Sequence, residues 1–140
     1  MMTPPDNMLY EYAVVRYVPR VDREEFMNIG LIMMCKRRKW LKGRVEIDER
    51  RVKAFDPQAD TARLESQASM FMRQDVPDAS FSVEEKYRWL SAVKSAVLQV
   101  SPSHPGIAVA DDCNEDSGSA LCRLEEEFGR LFDDLVSVGR

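Results

Sequence analysis

The chain is 140 residues long, 44% hydrophobic and 31% charged, with a formal net charge of −4. That composition reads as a single globular domain over 1–140, large enough to bury a core without disulfides or metal, and it excludes wholesale disorder. The acidic balance argues against nucleic acid as the main partner, because affinity for the phosphate backbone comes mostly from accumulated Lys and Arg.

Residues 1–8 read as a loose polar tail. From Tyr10 to Val18 both the even and the odd positions carry apolar side chains, which predicts a central strand covered on both faces and ended by Pro19. Asp22 to Glu25 has the D-x-x-E spacing of a helix start, so a short helical turn is expected through Phe26. Ile29 to Cys35 is almost wholly apolar and predicts a second buried strand, with Gly30 marking a bulge or a close backbone approach. Lys36 to Lys39 forms a basic hairpin tip. After it, Trp40 to Asp48 alternates, with Leu41, Gly43, Val45 and Ile47 on one face and a solvated face opposite.

Asp56-Pro57 offers a helix start, and Leu64, Ala68, Phe71 and Met72 then recur at helical spacing. The run QDVPDAS is a loop, and Ser82 with Glu85 forms a capping box that launches a helix bearing Tyr87, Trp89 and Leu90. Ser95 to Val100 alternates as a strand before SPSHPG stops regular structure. An acidic, turn-rich loop follows over 111–118. The last helix is predicted from Ser119 to Ser137, with Leu121, Leu124, Phe128, Leu131, Leu135 and Val138 as its apolar seam. Together these give an α+β fold: a mainly antiparallel sheet of about four strands (9–18, 29–36, 40–48, 94–100) with about three packed helices (60–73, 83–91, 119–137).

Cys35, Cys113 and Cys122 are odd in number and lack C-x-x-C spacing, which fits free thiols in a reducing compartment and offers no metal set. No apolar run is long enough for a membrane span and no signal peptide is visible, so a cytoplasmic location without membrane contact is expected. No cofactor motif is present.

Arg16 lies on an otherwise apolar strand face, where a guanidinium needs a carboxylate, a carbonyl or an anionic ligand. Glu24 and Glu25 are the candidate ion-pair partners, and Arg23 and Asn28 extend the cluster. A second candidate is Gln99-x-Ser101-x-Ser103-His104, which holds the single histidine of the chain. His104 is the natural nominee for a general base, with Ser101 or Ser103 as the hydroxyl, although serines between prolines are also ordinary turn formers.

Three segments carry a family resemblance: YAVVRYVP with REEFMNIG, then SAVLQVSPSHPG, then LEEEFGRLFDDLV. In these the chain resembles the bacterial domain-of-unknown-function family numbered 3037. The resemblance implies a small α+β protein without an assigned activity, and members encoded near HipA-like kinases, hence an accessory role beside such a kinase. It carries over Arg16, Arg23, Glu25, Phe26, Asn28, Gly30, Ser95, Gln99, Ser101 and His104 as positions matching the family's motifs. Lys94 stands where the family pattern suggests arginine, and lysine loses bidentate geometry.

The functional expectation is therefore a protein-interaction or regulatory module using Arg16 to Asn28 and the His104 turn. The alternative is a small enzyme on a phosphate-bearing substrate, with His104 as base and Arg16 steadying the anion. Nucleic-acid binding through Lys36 to Lys39 and Trp40 is a third reading.

Overall fold

The computed structural model describes residues 6–72, 80–92, 95–110 and 117–137. The expected loose residues 1–5, most of the QDVPDAS loop, Lys94, Cys113, most of the acidic loop and Val138 lie outside the described residues. Strand β1 (Asp6–Tyr17) is central. It pairs antiparallel with β2 (Met27–Cys35) on one side, and β2 pairs with β3 (Trp40–Val45). On its other side β1 takes two partners end to end, β4 (Leu98–Val100) beside its C-terminal part and β5 (His104–Ala110) beside its N-terminal part.

Among the described residues four helices flank this five-stranded antiparallel sheet: α1 (Glu49–Phe55), α2 (Thr61–Met72), α3 (Val83–Ser91) and α4 (Ser117–Leu135). Side chains alternate across β1, so Met8, Tyr10 and Val14 meet α4 through Leu124, Phe128 and Phe132. Ala13, Val15 and Tyr17 point the other way and pack against Val52, Leu64, Phe71, Tyr87 and Leu90 of the first three helices. The double-sided apolar pattern of the first two strands follows from this: each face of the sheet has its own core. No helix among the described residues is long and apolar enough to cross a membrane.

The α+β class and the antiparallel sheet stand as read from the sequence, and several local readings need correction. SPSHPG does not stop regular structure, because β5 begins at His104 inside it. Among the described residues β5 pairs with β1 alone, so it is an edge strand, where a proline is tolerated. Gly106 is required by its cross-strand partner: a Cβ would fall 2.3 Å from the ring of Tyr10. The tail is shorter than expected, since Met8 is fully buried in β1. Strand β3 ends at Val45, and Asp48 instead caps α1 by accepting the Arg50 backbone N–H at 3.1 Å.

The face of β3 expected to be solvated is turned to α4. Trp40 is buried edge-on to Phe128, and Arg44 lies 4.5 Å above the Phe132 ring. Asp56 ends α1, while the start of α2 is held by Asp60, which accepts from the Arg63 N–H at 3.1 Å. The capping box of Ser82 and Glu85 forms as expected. In α4 the buried stripe is Ala120, Leu124, Phe128, Leu131, Phe132 and Val136, whereas Leu121 is 37% exposed. Leu124, Phe128 and Leu131 belong to the expected seam and Leu135 packs against the same core, while Ala120 and Phe132 widen it to the broad stripe that contact with a sheet takes. The expected helical turn is a 3-10 turn at Val21–Arg23, closed by Glu24 in the left-handed region at φ 55°.

Candidate functional site

The polar site is built by strand register. Gly30 faces Val15 and Asn28 faces Arg16, so Ile29 is an extra residue on β2, a bulge. A Cβ on Gly30 would sit 2.8 Å from the Arg44 carbonyl oxygen, so Gly30 answers both expectations at once, bulge and close approach. The bulge returns Asn28 to the α4 side of the sheet. On β4, Leu98 and Val100 pack against the opposite core, which puts Gln99 on the α4 side too, directly across from Arg16. Gln99, Arg16 and Asn28 therefore form one row across three strands, where the C-terminal end of α4 meets the sheet.

The C-terminal carbonyls of that helix are met by Asn28 and by Arg51 of α1. Asn28 donates from Nδ2 to the Leu135 carbonyl at 3.1 Å, and Arg51 donates from Nη1 to the Val136 carbonyl at 2.6 Å. Because a carbonyl only accepts, the Asn28 amide is fixed with its Oδ1 turned away, buried and without a partner. Gln99 donates from Nε2 to the Ala96 carbonyl at 2.9 Å.

Arg16 departs from the expected ion pair. Glu25 accepts from Arg23 instead, at 2.8 Å to Nε and 2.7 Å to Nη2, and both are largely exposed. Among the described residues Arg16 has neither a hydrogen bond nor an ion pair, and its Nε is buried without a partner. Its one recorded contact of this kind is with Phe26, whose ring centroid lies 4.0 Å from the guanidinium carbon. Such stacking stabilises by roughly 0.5–1 kcal/mol where it is exposed, and Phe26 is 46% exposed. The pair was not foreseen from the sequence, because a bulged register, not a local spacing, brings Phe26 and Arg16 together.

His104 lies on the same side of the sheet as Arg16. Its cross-strand partner is Tyr12, with ring centroids 5.4 Å apart. Tyr12 is four residues from Arg16 along β1, which at the rise of a strand is about 13 Å. Of the second candidate segment, Gln99 thus joins Arg16, while His104 shares the face at a distance.

Ser101 is committed elsewhere. β1 exchanges one partner strand for the other at Ala13 and Val14, where the ladder has a gap. The Ser101 backbone N–H donates to the Val14 carbonyl at 2.9 Å, and its Oγ accepts the Val14 N–H at 2.9 Å and donates to the Pro102 carbonyl at 2.9 Å. The residue is buried, so its hydroxyl completes the ladder across the gap. Ser103 bonds the Tyr87 hydroxyl at 2.8 Å. Ser95 accepts the Val97 N–H at 3.1 Å, a turn bond leading into β4.

Arg23 and Glu25 line a separate cavity of about 330 Å³ with Pro19, Arg20, Phe55 and Asp56. Asp56 accepts from the Tyr17 hydroxyl at 2.8 Å, and burial followed by that bond pushes the Tyr17 phenol up to about 12. At the far end of β1 the Tyr10 hydroxyl donates to Glu127 at 2.9 Å, and burial with that bond raises Tyr10 to about 12. The bond from Arg130 is the main reason Glu127 is held below the usual carboxylate range. A larger cavity of about 480 Å³ between β3 and α2 contains none of the candidates.

The sequence model of a family described as a protein of unknown function (DUF3037) matches residues 12–136. No curated protein and no solved structure matches. The matched span includes Arg16, Asn28, Gln99, Ser101 and His104.

Proposed function

The chain belongs to the DUF3037 family, and from that premise we propose that it is a non-catalytic, cytoplasmic accessory module that binds a protein partner on the α4 side of its sheet. The contact surface is centred on Gln99, Arg16 and Asn28, with Phe26 at its rim and Tyr12 and His104 further along. One observation carries this reading: a strand-borne guanidinium with no acidic partner among the described residues, although Glu24 and Glu25 lie on the adjoining connection. A buried polar atom without a partner, such as the Arg16 Nε, is costly and calls for an explanation, which a partner's acceptor would supply. A HipA-like kinase is the partner that the family resemblance implies. The net charge of −4 favours a protein over a nucleic acid in this role.

The small-enzyme reading draws less from the geometry. The hydroxyl of Ser101 is already used in the ladder, and His104 stands about 13 Å along the strand from Arg16.

The test is direct binding of the purified chain to a co-expressed HipA-like kinase, with the variants Arg16→Ala and Asn28→Ala. At least a tenfold loss of affinity is expected from Arg16→Ala, with the melting temperature little changed. Kinase binding that is equally tight in wild type and both variants removes this surface from consideration.

A further inference from the structure

Resting on the interaction surface just proposed, we infer that Arg16 is a receptor for a two-oxygen anion, a carboxylate or a phosphate, presented by the partner. The guanidinium is a donor only, and it cannot lose its charge. Three acceptors on the adjoining elements are engaged by other donors. Glu25 is bound by Arg23, the Leu135 carbonyl by Asn28, and the Val136 carbonyl by Arg51. The α4 terminus is thus capped without Arg16, and the charge on Arg16 is not consumed by the negative end of the helix.

The orientation of the group selects the ligand. Of the guanidinium nitrogens only Nε is both shut off from solvent and unpaired, so the edge formed by Nη1 and Nη2 is the one that reaches the surface. The guanidinium carbon sits over the Phe26 ring, 4.0 Å from its centroid, so that side of the group is occupied. Gln99 and Asn28, both uncharged, flank it across the strands. A planar pair of N–H donors, fixed in direction and flanked by neutral side chains, matches the two oxygens of a carboxylate or phosphate. A single-point cation has no such match, so lysine at this position keeps the charge and loses the recognition.

Titration with sodium acetate and with inorganic phosphate tests this, followed by the Nε–H resonance of Arg16 and the backbone amides of Asn28 and Gln99. Two short peptides separate the sources: one carries a single glutamate and the other a single phosphoserine among uncharged residues. Saturable shifts confined to these three positions are expected, at least tenfold weaker at the two amides in Arg16→Lys. In Phe26→Ala, loss of the stack weakens binding about two- to fivefold. The stronger peptide arm identifies the anion. Shifts that are absent, that appear equally at Arg20 and Arg23, or that persist at the amides in Arg16→Lys overturn the inference. Loss of kinase binding in Arg16→Ala without any anion response leaves the interaction surface standing and rejects the receptor. An anion response with kinase binding unaffected rejects the surface instead.

Discussion

Replacing Ser101 by alanine separates a structural hydroxyl from a chemical one. In the folded chain the Ser101 Oγ accepts the Val14 N–H at 2.9 Å where β1 passes from β4 to β5. Val14 and Ser101 are 7% and 5% exposed, so water does not readily replace the lost acceptor. An orphaned buried donor costs about 1–3 kcal/mol, and the bond to Pro102 is lost with it, which places the expected destabilisation near 2 kcal/mol. For a chain of this length that is a fall in melting temperature of roughly 6–8 °C. Thermal and urea unfolding measure the loss, and hydrogen exchange locates it: the Val14 amide should exchange faster while the Leu31 amide on the far side of β1 changes little. A melting temperature within about 2 °C of wild type, with Val14 exchange unchanged, refutes the ladder role.

Gly30→Ala forces a Cβ to within 2.8 Å of the Arg44 carbonyl oxygen and 3.2 Å of the Val15 Cβ, and should cost about 1–3 kcal/mol in urea unfolding. An unchanged midpoint would show that the bulge can relax. Alkaline stability follows from the tyrosines: burial, the largest cause in each, pushes Tyr10, Tyr17 and Tyr87 from 10.0 up to about 12. The folded state holds these protons more tightly than the unfolded chain, so their contribution is complete below pH 10 and is lost between pH 10 and 12. Circular dichroism and tyrosinate absorbance should then change together over that range, and full tyrosinate formation near pH 10 with the fold intact would contradict the assignment.

The sequence by itself determined the parts of this protein that depend on local pattern. Apolar residues on both faces of Tyr10 to Val18 and Ile29 to Cys35 required two buried central strands, and the structure pairs them along most of their length. Ser82 and Glu85, three residues apart, required a helix start and make one. Arg16 and Asn28 were legible as polar members of an apolar stretch, because a charged or amide group there has no local explanation.

Tertiary structure decided what those residues face. Side-chain direction in a strand reverses with each residue, so the single extra residue at Ile29 determines whether Asn28 joins Arg16 or points into the opposite core; Gly30 signalled a bulge or a close approach, but only the register shows which face Asn28 takes. The strand character of His104–Ala110 was hidden because Pro105 and Gly106 are strand breakers except at an edge and beneath a ring, and both exceptions are set by β1. The role of Ser101 was hidden for the same reason: its partner, Val14, is 87 residues away in the chain. Local sequence specified which groups were polar and which strands were central, while long-range register specified which polar groups the fold satisfied and left Arg16 without an acid among the described residues.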